Sequence, residues 1–332
     1  MAPSTLLDTR RTPTTLISEL YDQALDSLAA RRVKIENTRL SRYQLTLGEL
    51  HSKDASEIKK SGRLPEFVKC LLEATDVIEA ASVNPSYFTD QDSRSKLCEI
   101  SKGPDYPPIG DQQAKDKARD SQFELVSAAF LQQRSCFAGF SRLGGDILLR
   151  HGRCIRPVEC KRLSSPQALN GRVREICNRL ESDYEKSMPA GVGLIDVSRA
   201  ALSTDRIVST RDDDQLIAVA DGRLNAFILQ HQDVLQKRAR IDNAVLGFFL
   251  RLVVTGISGR ADNIRKATAW QFVNHNPDYD LDHVCNAALF DDLVAGLDKR
   301  PVVILDEPIP PLHLALKRFL PERLEPIAYY FG

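Results

Sequence analysis

The stretch GDILLRHGRCIRPVECKRL, residues 145–163, predicts the centre of the fold. Two mainly apolar runs, residues 147–149 and 155–163, lie on either side of His151 and Gly152. Two such runs separated by a short turn are typical of a β-hairpin, in which the strands pair antiparallel. The stretch therefore predicts two neighbouring strands joined by a tight turn.

The register of this hairpin decides which polar side chains lie together. If His151 and Gly152 form the loop, Asp146 lies opposite Pro157. Opposed residues share a face of the sheet, and so do residues two apart on one strand. Asp146, Glu159 and Lys161 then project from one side. The two acids are diagonal neighbours with roughly 7–8 Å between their backbones. A four-residue loop preserves this parity, whereas a three-residue loop destroys it.

Two carboxylates and an amine on one face suit the hydrolysis of phosphodiesters. Mg²⁺ prefers oxygen ligands and keeps several waters, so two carboxylates and a backbone carbonyl suit it. A bound metal lowers the pKa of a coordinated water and polarises the phosphoryl oxygen. We therefore expect Asp146, Glu159 and the carbonyl of Cys160 to bind Mg²⁺ or Mn²⁺. Lys161 is expected to orient the attacking water or stabilise the developing charge.

The pattern Asp146…Glu159-Cys160-Lys161 resembles the PD-(D/E)xK nuclease superfamily, which has the restriction-endonuclease-like fold. The order helix, strands, helix, strand over residues 121–197 is also similar to the common core of that family. The resemblance implies a metal-dependent nuclease with both carboxylates on Mg²⁺ and the lysine in catalysis.

Two positions qualify the resemblance. Many family members add an acidic residue from the first core helix, and Glu124 corresponds to it, so we include it among the candidate catalytic residues. The alternative is that Ser121 and Glu124 form a capping box that only stabilises the helix start. The chain also departs from the family pattern at Gly145, where proline is usual before Asp146.

A purely structural interpretation of the triad remains open. The chain has one other acid-x-Lys triplet, Glu57-Ile58-Lys59, which lies in a polar stretch. Glu159 and Lys161 instead interrupt an apolar strand, where charges are costly unless they are paired. The alternative is a Glu–Lys pair on a solvated sheet edge, with Asp146 as a surface acid.

Several charged residues near the motif have a functional and a structural interpretation. Arginines on the following helix could contact phosphates or form a solvated face; they are Arg172, Arg174 and Arg179. Arg162 projects to the opposite face from Lys161. Asp196 ends an apolar run, and we expect it to have a structural role.

The whole chain predicts an α/β fold, with a central mixed sheet flanked by helices and a helical N-terminal region. The predicted divisions are a helical N-terminal region (1–105), a linker (106–120), a nuclease-like core (121–275) and a C-terminal extension (276–332). Helices are expected from Thr12-Pro13 and near Pro65, and over 121–134, 166–186 and 213–240. Further strands are expected over 192–197, 245–255 and 266–273.

Composition limits the partners and the compartment. The 332 residues include 45 basic and 45 acidic ones, so only a local basic patch can hold a polyanion. We expect no membrane association, because no run approaches the ~20 apolar residues of a membrane span. The seven cysteines include no CxxC pair, which argues against a disulfide framework or a zinc finger and favours the cytoplasm.

The sequence therefore predicts a cytoplasmic, magnesium-dependent endonuclease that binds nucleic acid, with DNA favoured over RNA. Its N-terminal helical region would bind a partner protein or a second copy of the chain. One alternative is a non-catalytic interaction or scaffold module that keeps a nuclease-like fold. Another is a structural α/β protein in which the triad is a coincidence.

Overall fold

The computed structural model describes residues 14–50, 55–105, 116–133, 136–141, 144–151, 154–201, 207–236, 244–258, 264–274 and 302–304. Its helices are α1 Thr14–Ala30, α2 Arg39–Leu50, α3 Ala55–Lys60, α4 Leu64–Ala81, α5 Gln91–Glu99, α6 Lys117–Gln133, α7 Leu169–Glu185, α8 Ser198–Ala201, α9 Asp213–Gln230 and α10 Gln232–Leu235. Its strands are β1 Phe137–Phe140, β2 Ile147–His151, β3 Cys154–Arg162, β4 Gly191–Asp196, β5 Ile207–Thr210, β6 Val245–Ser258, β7 Ile264–Asn274 and β8 Val302–Ile304.

The strands form one mixed sheet in the order β1-β2-β3-β4-β6-β7-β8, and β5 pairs with the later part of β6. β3, β4 and β6 run parallel, whereas β1–β2, β2–β3, β6–β7 and β7–β8 are antiparallel pairs. α7 connects the parallel strands β3 and β4, as a parallel pair requires a crossover. The predicted α/β class with a central mixed sheet is confirmed.

Helices cover both faces of the sheet, which explains why every residue of β4 is buried. One hydrophobic cluster joins α1, α2, α4 and α6 to strand residues such as Leu194. A second cluster joins α7 and α9 to the opposite face, where Ile195 points. The N-terminal helices therefore share a hydrophobic core with the sheet, and Phe130 of α6 stacks on Trp270 of β7 at 4.4 Å.

The hairpin forms with a different register from the predicted one. His151 pairs with Cys154, and Leu148, not Asp146, lies opposite Pro157. The predicted loop of His151 and Gly152 is wrong, because His151 belongs to β2 and pairs with Cys154. The register moves by two residues, so the parity is preserved and Asp146 comes closer to Glu159.

The first core helix also differs from the prediction. α6 begins at Lys117, four residues before the predicted start, and a carboxylate oxygen of Asp116 accepts the Arg119 N–H at 3.2 Å. Ser121 and Glu124 therefore lie inside the helix, and the capping-box alternative is wrong. The predicted start at Thr12-Pro13 lies outside the described residues, but the helix near Pro65 is confirmed as α4.

Other boundaries show which elements lack a sequence signal. The helix predicted over 213–240 is divided into α9, which ends at Gln230, and the short α10, Gln232–Leu235, and its predicted end lies outside the described residues. β1 and β5 have four residues each and were not predicted, because so short a run shows no clear periodicity. The longer apolar runs form β4, β6 and β7 as expected.

Candidate active site

A glycine turn sets the position of Asp146 against β3. Gly145 has φ +65°, and a side chain there would place its Cβ 2.9 Å from the carbonyl oxygen of Val158. The N–H of Asp146 donates to that same carbonyl at 2.8 Å. Only glycine tolerates both this backbone conformation and this approach, so glycine at position 145 has a local structural cause.

The aspartate, the glutamate and the lysine of the motif lie together. One carboxylate oxygen of Asp146 accepts the backbone N–H of Cys160 at 2.8 Å. The Nζ of Lys161 lies 2.5 Å from Glu159 Oε1 and 4.0 Å from Asp146 Oδ2. The amine of Lys161 therefore lies between the carboxylates of Asp146 and Glu159.

A second lysine extends this arrangement to Glu124. Lys96 of α5 donates to a carboxylate oxygen of Glu124, and its Nζ lies 3.5 Å from Asp146 Oδ1. The side chains thus alternate in charge in a carboxylate–lysine row, made of Glu124, Lys96, Asp146, Lys161 and Glu159. The structure brings all four candidate catalytic residues into this row.

Lys96 is the residue that sequence reasoning missed. It lies 50 positions before Asp146, among the polar residues of α5, and no motif or periodicity distinguishes it. Only the packing of α5 against α6 brings its amine to the site.

Two carboxyl groups of the row have raised pKa values. Burial raises the pKa of Glu124 to about 7, and the negative charge of Asp146 adds to this shift. Burial also raises the pKa of Glu159, again helped by Asp146 and opposed by Lys161. Burial disfavours the charged forms of Lys96 and Lys161, but the neighbouring carboxylates outweigh this effect and raise the pKa of both amines. Both lysines are therefore charged at neutral pH.

Three members of the row, Glu124, Lys96 and Lys161, line an open cleft of about 510 Å³, whereas Asp146 and Glu159 are not among the residues that line it. Its walls come from α5, α6, β3 and α7, and their charged side chains have both signs. The basic residues are Lys96, Lys117, Lys161 and Arg172, and the acidic residues are Asp92, Glu99, Asp120, Glu124 and Glu175. A substrate phosphate entering the cleft would meet four cations from four different elements.

Of the arginines considered above, one lines the cleft. Arg172 does so and donates to Glu175 at 2.7 Å. Arg174 is exposed, and Arg179 lies 3.9 Å from Asp183. Arg162 pairs with Asp196 at 3.4 Å.

Asp196 is held by structural contacts, in agreement with the expectation. It accepts the N–H of Ser198 at 2.9 Å and lies 3.6 Å from Arg251. Five cysteines with described side chains form no disulfide bond; they are Cys70, Cys98, Cys136, Cys160 and Cys177.

The described residues contain no group of three or more His, Cys, Asp or Glu side chains placed to hold a metal ion together. The carboxylate–lysine row gives the physical reason, since an ammonium group bridges each neighbouring pair of its acids.

The helices among the described residues include none with the length and apolar character needed to span a membrane. No family model matches the chain, and comparisons with curated proteins and with solved structures likewise find no match.

Proposed function

We propose that the chain is a metal-dependent nuclease of the PD-(D/E)xK type that hydrolyses phosphodiester bonds, in DNA rather than RNA. Asp146, Glu159 and the carbonyl of Cys160 would bind Mg²⁺ or Mn²⁺, and Lys161 would act in catalysis. The observation that carries the proposal is that both carboxylates lie within 4.0 Å of the Lys161 amine. That amine lines a cleft that is open to a substrate.

The order of elements supports a restriction-endonuclease-like core as part of the proposal. α6, the hairpin β2–β3, the crossover helix α7 and the parallel strand β4 follow one another along the chain. This is the order that the resemblance implies. The acids and the lysine come from α6 and from the central hairpin. The resemblance implies that catalytic residues lie on these same elements.

The chemistry of the row fits a divalent cation. Its three acids are accompanied by two ammonium groups, and burial raises the pKa values of Glu124 and Glu159, with the negative charge of Asp146 adding to both shifts. The side-chain atoms of the row that could bind the metal are all carboxylate oxygens, and Mg²⁺ prefers oxygen ligands. A cation bound between Asp146 and Glu159 would compete with Lys161 for their negative charge. The Lys161 amine could then turn towards the cleft.

The residues of the chain then have separate tasks. A bound Mg²⁺ would supply an activated water and polarise the phosphate. Asp146 is held in place by the N–H of Cys160. Lys161 donates hydrogen bonds to the phosphate as negative charge develops on it. Glu124 accepts a hydrogen bond from Lys96 and so holds that amine beside Asp146.

Cleavage of supercoiled plasmid DNA tests the proposal. The wild type is expected to cut with Mg²⁺ or Mn²⁺ and to stop when a chelator is added. Lys161→Met removes the amine and keeps the length of the side chain, so we expect the rate to fall by about 100-fold or more. Lys186→Met at the exposed end of α7 is the matched control and should cut like the wild type.

The outcomes also separate the alternatives. Thermal unfolding of each variant establishes that a loss of cutting is not a loss of fold. If Lys161→Met cuts as fast as the wild type, the catalytic assignment is wrong. If the wild type cuts neither DNA nor RNA with either metal, the scaffold module becomes the better interpretation.

A further inference from the structure

The N-terminal helical region supplies one residue of the carboxylate–lysine row. Lys96 lies on α5, which begins where the side chain of Asp90 accepts the N–H of Ser93 at 2.7 Å. α5 packs against α6, so its position relative to Glu124 is fixed by helix packing and not by a loop. The amine of Lys96 is held by its contacts with Glu124 and Asp146.

Two ammonium groups flank Asp146. Lys96 Nζ lies 3.5 Å from one carboxylate oxygen of Asp146, and Lys161 Nζ lies 4.0 Å from the other. Both lysine side chains are 22% exposed, and both line the cleft. Each amine can therefore reach a group in the cleft while remaining next to Asp146.

We infer that Lys96 is a second lysine of the active site, which contacts a substrate phosphate on the opposite side of Asp146 from Lys161. The inference rests on the proposed nuclease function. A phosphate in the cleft can lie beside both amines, since Lys96 and Lys161 both line it. An ammonium group has three donors, and Lys96 uses two of them on Glu124 and on the backbone carbonyl of Asp146, so one remains for a phosphate oxygen. Cleavage therefore requires a residue from outside the motif-bearing part of the chain.

A purely structural role for Lys96 makes a different prediction. If Lys96 only neutralised Glu124, its removal would lower stability but would leave the protein's interactions with phosphates unchanged. Removing one ion pair between the protein and a phosphate makes DNA affinity fall less steeply with salt, by about 0.9 in the slope of log K against log [salt]. The salt slope therefore distinguishes an interaction with substrate from a structural ion pair.

The experiment measures binding of a duplex of about 20 base pairs at several salt concentrations, with Ca²⁺ in place of Mg²⁺. Lys96→Met is expected to reduce the slope by about 0.9 and to slow cleavage in Mg²⁺ by about 100-fold. Lys96→Arg keeps the charge and should retain the slope. Lys102→Met, at a lysine that is 62% exposed and pairs with Glu99, is the nearby control and should change neither quantity.

A second variant ensures that the test does not depend on how well Lys96→Met folds. Lys96→Gln keeps a hydrogen-bond donor for Glu124 without the charge, and it should show the same reduction in slope. An unchanged slope in both variants would overturn the inference, as would a wild type with no measurable affinity for the duplex. A wild type that binds but does not cut would contradict the nuclease proposal, while the slope would still decide whether Lys96 contacts phosphate.

Discussion

Gly145 shows how one residue without a side chain determines the position of the proposed chemistry. Its φ of +65° turns the chain so that Asp146 bonds to β3 through the Val158 carbonyl. The same turn leaves the carboxylate of Asp146 free to accept the N–H of Cys160. The strength of this constraint can be measured without any assumption about activity.

Gly145→Ala is expected to destabilise the protein by about 1–3 kcal/mol, because the new Cβ meets the Val158 backbone in a left-handed conformation. Gly171→Ala is the matched control. Gly171 lies in α7 with no atom within 4 Å of an added Cβ, so alanine should stabilise that helix by about 0.5–1 kcal/mol. Urea denaturation gives both values. A Gly145→Ala variant as stable as the wild type would refute this account of the turn.

The candidate residues of the motif could be found from the sequence because they lie close together in it. Parity along two joined strands was enough to predict that Asp146, Glu159 and Lys161 share a face, even though the predicted register was wrong by two residues. Lys96 could not be found in this way. Its approach to Asp146 depends on how α5 packs on α6, and a single sequence contains no local pattern that specifies such packing.

At the scale of elements, a buried ion cluster joins α4 to β6 and β7. Asp76 of α4 accepts from Arg251 of β6 at 2.9 Å and from Lys266 of β7 at 3.2 Å. Burial alone would raise the pKa of Asp76, but Arg251 and Lys266 outweigh it and hold this pKa well below its usual range. The cluster therefore joins an N-terminal helix to the antiparallel part of the sheet through ion pairs.

Asp76→Asn is expected to cost about 1–3 kcal/mol at pH 7, because Arg251 and Lys266 lose their nearest carboxylate. Each cation keeps one longer ion pair, Arg251 with Asp196 at 3.6 Å and Lys266 with Glu79 at 3.7 Å. A carboxyl whose pKa is depressed by folding stabilises the protein above its unfolded pKa of about 3.9 and loses that contribution as the pH falls through the folded value. The difference between wild type and variant should thus shrink below about pH 4.

Asp26→Asn, at an exposed position of α1, should cost much less at pH 7 and show little change with pH. Urea denaturation of both variants between pH 3 and pH 7 checks the assignment. A penalty for Asp76→Asn that stays constant across this range would contradict the stated charge of Asp76.

At the scale of the whole molecule, the charges of 45 basic and 45 acidic residues cancel. A polyanion could therefore be bound only by a local group of basic side chains. Four basic side chains from four elements line the cleft, together with five acidic ones. The sequence predicted the class of fold through its long apolar runs. It did not predict that the helices before residue 106 share a core with the sheet, because that packing joins segments far apart in the chain.

This shared core leads to a prediction about the folded protein as a unit. A cation that binds the carboxylates of the native state, but not the unfolded chain, raises the free energy of unfolding by about 2.7 kcal/mol at 100 times its Kd. Because α1, α2, α4, α6 and the sheet contribute to one hydrophobic cluster, we expect the cation to shift a single unfolding transition and not a separate local one.

Thermal unfolding with Mn²⁺, and again after a chelator is added, measures the shift. Asp146→Asn removes the carboxylate that lies between both lysines and should abolish the shift, whereas Asp26→Asn should retain it. An identical transition temperature with and without Mn²⁺ in the wild type would mean that the row of acids and lysines compensates its own charge and holds no cation.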